Sequence, residues 1–482
     1  MKSNSHPLKT LFVSSEIYPF AKSGGLADVS YSLPKALSQS VDMTLIMPLY
    51  KSIDRAKYGI TSSGVSFKIT LDGINHQVEY FFTLYNGLKC YFLYAPVLSE
   101  TEDLYGDERG GYENNDTRFG LFCHAVIEWV QRFSSGFDLL HLNDWQSALC
   151  APLIQEKELG IKTIFTIHNL AYQGVFDKGA LSRVELSESY YSYVSLEYYG
   201  DVNFLKAGII YSDVITTVSP SYAKEILTKE FGNGLEGLLG FYKEKLVGIL
   251  NGIDSDDFSP KKDQALYENY DARVMSAKSV NKREFLKSVS LQDETKPLFI
   301  FIGRFTWQKG LELLINSLKE IALLDINIAI LGDGEQKYHK ALIKATQKYE
   351  NVHVRFGYDE QTSRRMYGAS DFLLMPSMYE PCGLNQMIAM SYGSIPIVRD
   401  VGGLHDSVQS VDSFAMQPEG GFGITFENFQ TDEFIDACKR AVSLYQQKQL
   451  IRRIKRHNMN QDFSWKSRAL EYKKIYHKLT EK

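Results

Sequence analysis

Short apolar runs alternate with longer amphipathic stretches along most of the chain. Residues 10–14 (TLFVS) read as a buried strand, after which Leu26, Val29, Leu33 and Leu37 recur at helical spacing. Pro34 interrupts that second stretch and is expected to kink or shorten its helix, since proline has no N–H to donate. Further strands are predicted at 43–47, 138–142, 162–167 and 213–218, with amphipathic segments at 145–159 and 219–231. Such alternation points to βαβ units around a parallel sheet.

The charged stretch over about 255–296 breaks the rhythm and reads as a boundary or hinge. Beyond it the alternation restarts, with strands at 298–302, 326–331, 352–356, 371–376 and 395–399. Helices are predicted over 311–318, 335–349, 383–392, 431–447 and 464–480. A Gly-Gly-Leu step follows a strand and opens a helix twice, at Gly24-Gly25-Leu26 and at Gly402-Gly403-Leu404. The fold class expected is α/β, with two Rossmann-like doubly wound domains facing each other and ligands at the carboxyl ends of their strands.

Composition narrows the classes. The 482 residues carry 53 Lys plus Arg against 58 Asp plus Glu, a formal net charge of −5, which argues against a nucleic-acid binder. The five cysteines (Cys90, Cys123, Cys150, Cys382 and Cys438) are scattered with no CxxC pair. Neither a zinc ribbon nor a disulfide framework is expected, and a reducing cytoplasm fits. The apolar run Leu11–Val13 is too short for a signal segment, and no window of 18 apolar residues suggests a membrane span.

Several segments at predicted strand ends carry candidate chemistry. In 16–29, glycines and a helix N-terminus beside Lys22 suit a diphosphate, or form an ordinary capping loop with a surface lysine. His168 and Asn169 end a strand and could reach a ligand, or simply be hydrogen-bonded within the fold. Asp144 reads as a helix cap at least as readily as a catalytic group. Arg304 and Lys309 flank one loop, where two cations could stabilise a diphosphate leaving group without a metal, or lie exposed. Glu380 sits on a turn between Pro376 and Gly383 and could hold sugar hydroxyls or stabilise charge at an anomeric carbon. Tyr358 could stack on a nucleobase or pack normally. The chain has no GxxxxGK[ST], HExxH or GxSxG motif, which removes P-loop, zincin and serine-hydrolase readings.

On these segments the chain resembles the bacterial glycogen synthases, relatives of the plant starch synthases. The matching stretches are 14–29, 141–149, 166–174, 248–254, 302–310, 376–386, 395–408 and 462–465, in family order. The resemblance implies a GT-B architecture with the active site in a cleft. It implies an N-terminal domain over 1–250, a donor domain over 251–460, and a helix at 461–482 packing back on the first. It further implies retaining transfer of glucose from ADP-glucose to the non-reducing end of an α-1,4-glucan, with no metal or other cofactor.

By the same resemblance, Lys22, Gly24 and Gly25 bind the nucleotide sugar, and His168 stands beside the donor glucose. Arg304 and Lys309 meet the diphosphate, Glu380 with Cys382, Gly383 and Leu384 the glucose, and Tyr358 the base. Asn251 lies in the matching NGID turn, Asn169 follows His168, and Gly402, Gly403 and Leu404 form a second phosphate loop. Val401, Gln146, Met387 and Asn385 depart from common family residues. The alternatives are a retaining transferase using a UDP- or GDP-sugar on another acceptor, and a glucan-binding protein without catalysis. No membrane or nucleic-acid partner is expected.

Overall fold

The computed structural model describes residues 7–107, 110–132, 136–414 and 420–481. The chain divides into two units. The first holds residues up to Val218, Ala223–Ile249 and the segment from Trp465 onward; the second holds Ser219–Tyr222 and Leu250–Ser464.

The first unit is built on a nine-stranded sheet. Its parallel part runs in the order Leu246–Gly248, Val214–Thr217, Lys162–Ile167, Leu139–Asn143, Lys9–Val13, Asp42–Pro48 and Leu88–Tyr94. These strands are apolar almost throughout because both faces are covered. Ile74–Tyr85 and Thr61–Leu71 extend the sheet as antiparallel strands. Their turns carry Asp72-Gly73 and Asn86-Gly87, all four residues at positive φ, as tight hairpins require. The closing helix Trp465–Thr480 buries Trp465, Ala469, Tyr472 and Tyr476, a 4-3-4 spacing that forms one helical stripe in this unit's core.

The second unit has a seven-stranded sheet, entirely parallel. Its order is Val352–Phe356, Asn327–Gly332, Leu298–Ile302, Phe372–Met375, Ile395–Arg399, Gly421–Phe426 and Val408–Ser410. Helices Leu311–Ile321 and Thr431–Gln446 turn Leu314, Leu318, Phe434 and Ala441 into its core.

Three expectations change. Pro34 does not shorten its helix, which spans Gly25–Leu37; the proline lies in the last turn, where Ser38 N–H closes on its carbonyl. The stretch 145–159 is two short helices, Trp145–Ala148 and Cys150–Glu156, since Pro152 has no N–H to carry the first helix onward. The boundary stretch is not irregular throughout: Ser276–Ser288 is a helix. Its buried face includes Lys278, Asn281 and Lys282, so its apolar period is masked. Among the described residues no helix is long and apolar enough to cross a membrane.

Candidate functional site

In the first unit, the strands Lys9–Val13, Leu139–Asn143 and Lys162–Ile167 lie side by side and parallel. Their carboxyl ends therefore deliver residues 14–25, Asp144 and His168 to one edge of the sheet, beside the point where strand order reverses.

Glu16 organises this edge. Its carboxylate is buried and accepts Ser23 N–H at 2.5 Å, Ser23 Oγ at 2.8 Å, Gly24 N–H at 3.3 Å and Tyr105 Oη at 2.8 Å. Burial raises its pKa, while the Ser23 and Tyr105 bonds oppose the rise. Two backbone donors of the glycine loop are thus turned inward. The donors left for an anion are those that open the helix at Gly25, where N–H groups have no intrahelical partner. Gly25 is exposed and Gly24 half-buried. Lys22 pairs with Asp28 at 2.7 Å, so its charge is held over the same turn.

His168 is fixed by its neighbours. Asn143 Nδ2 donates to the Val13 carbonyl at 3.0 Å, which turns Asn143 Oδ1 toward His168 Nε2 at 2.9 Å. Nε2 therefore carries the proton and Nδ1 is an acceptor. Burial lowers the His168 pKa to about 3, so the ring is neutral near pH 7. Asp144 does not cap the following helix. It sits at φ 55° with no side-chain capping bond, and Oδ1 accepts His168 N–H at 2.7 Å. Burial raises its pKa to about 7 against the N–H groups of His168 and Asn169. Asn169 closes its own turn, Oδ1 accepting Ala171 N–H at 3.1 Å. His141, also neutral, is a core residue bridging Tyr476 Oη and Thr166 Oγ1 at 2.6 Å each.

In the second unit, the carboxyl ends of Leu298–Ile302, Phe372–Met375 and Ile395–Arg399 gather a second group. Lys309 Nζ meets both carboxylate oxygens of Glu380, at 2.8 and 2.7 Å, and Ser377 Oγ donates to Glu380 Oε2 at 3.1 Å. Glu380 is only 4% exposed. Its carbonyl accepts Gly403 N–H at 3.0 Å, which ties the two loops together. Gly403 has no room for a side chain, since a Cβ there would stand 2.2 Å from the Cys382 carbonyl oxygen. Gly310, at φ +71°, lets the Lys309 turn pass Pro376, whose carbonyl would lie 1.8 Å from a Cβ.

Arg304 is exposed at the head of the Lys309 loop. Tyr358 stands 68% exposed beyond Val352–Phe356. Cys382 and Leu404 are buried, Leu384 is half-buried, and Gly383 and Gly402 adopt positive φ. Asn251 is buried, and its Oδ1 has no hydrogen-bond partner among the described residues.

The expected residues divide between the two units, Lys22, Gly24, Gly25, His168 and Asn169 in one and the rest in the other. Three polar residues join them. Glu16 and Ser377 lie inside the quoted motifs without a role there, and Asp144 is open there between a helix cap and a catalytic group. No local pattern singles them out, since Glu16 follows Ser14-Ser15, Asp144 follows Asn143 and Ser377 follows Pro376. The departures have local accounts: Asn385 donates to the Ile302 carbonyl at 2.7 Å, Met387 is core, and Val401 is buried at the start of the helix Gly402–Ser407. Gln146 is buried, with Oε1 lacking a partner among the described residues.

The starch synthase catalytic domain family matches residues 9–240, and the glycosyl transferases group 1 family matches 282–475. A glycogen synthase of Aquifex aeolicus is 44% identical over 97% of this chain and 98% of its own length. One from Bacillus cereus is 38% identical over 98% of this chain and 100% of its own. The catalytic domain of starch synthase IV from Arabidopsis thaliana, bound to ADP and acarbose, superposes with a TM-score of 0.93 at 30% identity, covering 99% of this chain and all of that one. A sucrose-phosphate synthase from Thermosynechococcus elongatus shares the fold, with a TM-score of 0.60 at 15% identity and coverage of 98% and 99%. On near-full-length identity to glycogen synthases, the chain belongs to the glycogen and starch synthase family of glycosyltransferases, with the two-domain α/β architecture of the GT-B type.

Proposed function

We propose that the protein transfers glucose from ADP-glucose to the non-reducing end of an α-1,4-glucan, with retention of configuration, in the cytoplasm. The observation that carries this is the arrangement in the second unit: a buried, doubly anchored carboxylate, a lysine against it, and an exposed arginine on the same loop. The name of the Arabidopsis relative, bound to ADP and acarbose, supports a nucleotide donor and a glucan-like acceptor.

In this reading Arg304 and Lys309 take up the charge of the departing ADP, and Tyr358 stacks on the base. From the first unit the N–H groups that open the helix at Gly25 meet the phosphates, with the Lys22 ammonium beside them, while Gly24 and, in the second unit, Gly402 and Gly403 let their loops approach closely. Glu380 and Asn251 accept hydrogen bonds from sugar hydroxyls. His168, neutral at pH 7, offers Nδ1 as a further acceptor. The acceptor 4-hydroxyl attacks the anomeric carbon from the side on which the carbon–phosphate oxygen bond breaks, and a phosphate oxygen takes its proton. No side chain is assigned as a covalent nucleophile.

Labelled glucose should enter glycogen strongly from ADP-glucose and weakly from UDP-glucose. Incorporation from UDP-glucose alone would overturn the donor assignment. Incorporation from neither would return the non-catalytic reading.

Asp144 belongs to this proposal through the His168 loop. Asn at this position keeps one acceptor oxygen and places a donor where the second N–H points. Leaving one buried N–H unsatisfied costs about 1–3 kcal/mol. Asp144→Asn is therefore expected to lower kcat about 5- to 150-fold, a conversion that assumes the full cost falls on the transition state. The parent's rate should also fall as pH drops through about 7, where Asp144 takes up its proton, and the variant should lack that limb. A variant with parental kcat and an unchanged acid limb would remove Asp144 from the site.

A further inference from the structure

Lys309 and Glu380 are expected to serve different parts of one substrate, the diphosphate and the sugar. In the structure they serve each other. The lysine's ammonium straddles both carboxylate oxygens at 2.7 and 2.8 Å, and with Ser377 also bound, Glu380 has most of its acceptor capacity engaged. The Glu380 side chain is 5% exposed and that of Lys309 is 23% exposed, so water screens this pair far less than a surface pair. Neither residue is therefore idle, and a ligand that recruits one must deal with the other.

Resting on the ADP-glucose reading above, we propose that Glu380 competes with the donor's diphosphate for Lys309. The carboxylate is released to the sugar only when a phosphate oxygen has taken the ammonium. The diphosphate, not the glucose, is then the group that admits the donor. A neutral sugar arriving alone meets a carboxylate whose oxygens are already claimed by a cation. This makes the ion pair a selectivity device: it favours diphosphate-linked sugars over free sugars or glucan ends at the same carboxylate. The handover needs no movement of the main chain, because Gly403 N–H and Ser377 Oγ hold Glu380 independently of Lys309.

The test is a double-mutant cycle on ADP affinity, measured by calorimetry on the full chain as parent, Glu380→Gln, Lys309→Ala and both together. Glutamine keeps the shape of Glu380 and drops its claim on the ammonium. Glu380→Gln is expected to tighten ADP binding about 5-fold or more when Lys309 is present, and to change it less than about 2-fold when Lys309 is Ala. Equal tightening in both backgrounds would mean plain repulsion between Glu380 and the diphosphate, and overturns the competition. Weaker ADP binding in Glu380→Gln would mean that the carboxylate positions Lys309 for the phosphate, and overturns it as well. Failure of the parent to bind ADP would remove the donor reading and the competition together. Binding without coupling removes only the competition.

Discussion

Lys309→Ala is expected to lower kcat about 1,000-fold with ADP-glucose, the upper end of what one preorganised donor to a developing charge contributes. Charge on the leaving diphosphate grows as the anomeric bond breaks, so the ammonium's attraction is greatest in the transition state. The loss should therefore appear in kcat more than in KM. The same change strands the Glu380 carboxylate, which is 4% exposed and, among the described residues, keeps only Ser377 as a side-chain donor. A modest fall in melting temperature should accompany the kinetic loss. The Lys309→Ala/Glu380→Gln double variant separates the two effects: it should regain the melting temperature, since no charge is stranded, and regain none of the turnover. Parental kcat in Lys309→Ala would remove the lysine from the chemistry. Recovery of turnover in the double variant would assign the loss to a stranded charge.

What the sequence disclosed about these residues depended on how each is held. Arg304, Lys309, Glu380 and His168 follow predicted strands, and a parallel sheet sends every strand's carboxyl end to one edge. Strand order was enough to group them within each unit. Glu16 escaped, and Asp144 stayed open between a cap and a catalytic group, because their work is done through backbone N–H groups 7 and 24 residues away. No local pattern encodes such a partner.

The antiparallel extension of the first sheet was legible in principle. Asp72-Gly73 and Asn86-Gly87 are strong hairpin signals, and no element was predicted there. The helix Ser276–Ser288 was not legible by apolar periodicity. Its inward face carries Lys278, Asn281 and Lys282 alongside Ala277, Phe285 and Leu286, so the right spacing is filled with residues that normally mark the outside.

Those inward lysines lead to the second large effect. Asp371→Asn is expected to destabilise the second unit by about 3–5 kcal/mol, the range for removing one partner of a buried ion pair. Asp371 Oδ2 meets Lys282 Nζ at 2.8 Å and Leu298 N–H at 3.0 Å, and Oδ1 meets Lys455 Nζ at 2.6 Å. All three charged side chains are about nine-tenths buried. Lys278 lies close by, its amine held by the carbonyls of Tyr367, Gly368 and Tyr392, and burial lowers its pKa well below the usual lysine value. Removing Asp371 thus leaves Lys282 and Lys455 buried without the carboxylate that both contact, with Asp293 acting on Lys282 only at longer range.

For a unit of this size about 3–5 kcal/mol corresponds to a melting shift of roughly 6–20 °C. Burial alone would raise the Asp371 pKa, but Lys455 and Lys282 outweigh it and hold the carboxyl well below the usual range. The stabilisation is therefore complete above the unfolded value near 3.9 and is lost as pH falls through the folded one. The gap in melting temperature between parent and variant should be constant from pH 5 to 8 and shrink below about pH 4. Asp371 precedes the strand Phe372–Met375, whereas Glu380 follows it, so the two stand at opposite ends. Asp371→Asn should accordingly keep parental kcat and ADP affinity well below its own melting temperature. A shift under about 3 °C would mean that the lysines shed their protons or find other acceptors at little cost. A kinetic defect at full folding would mean that this cluster reaches the site through the strand.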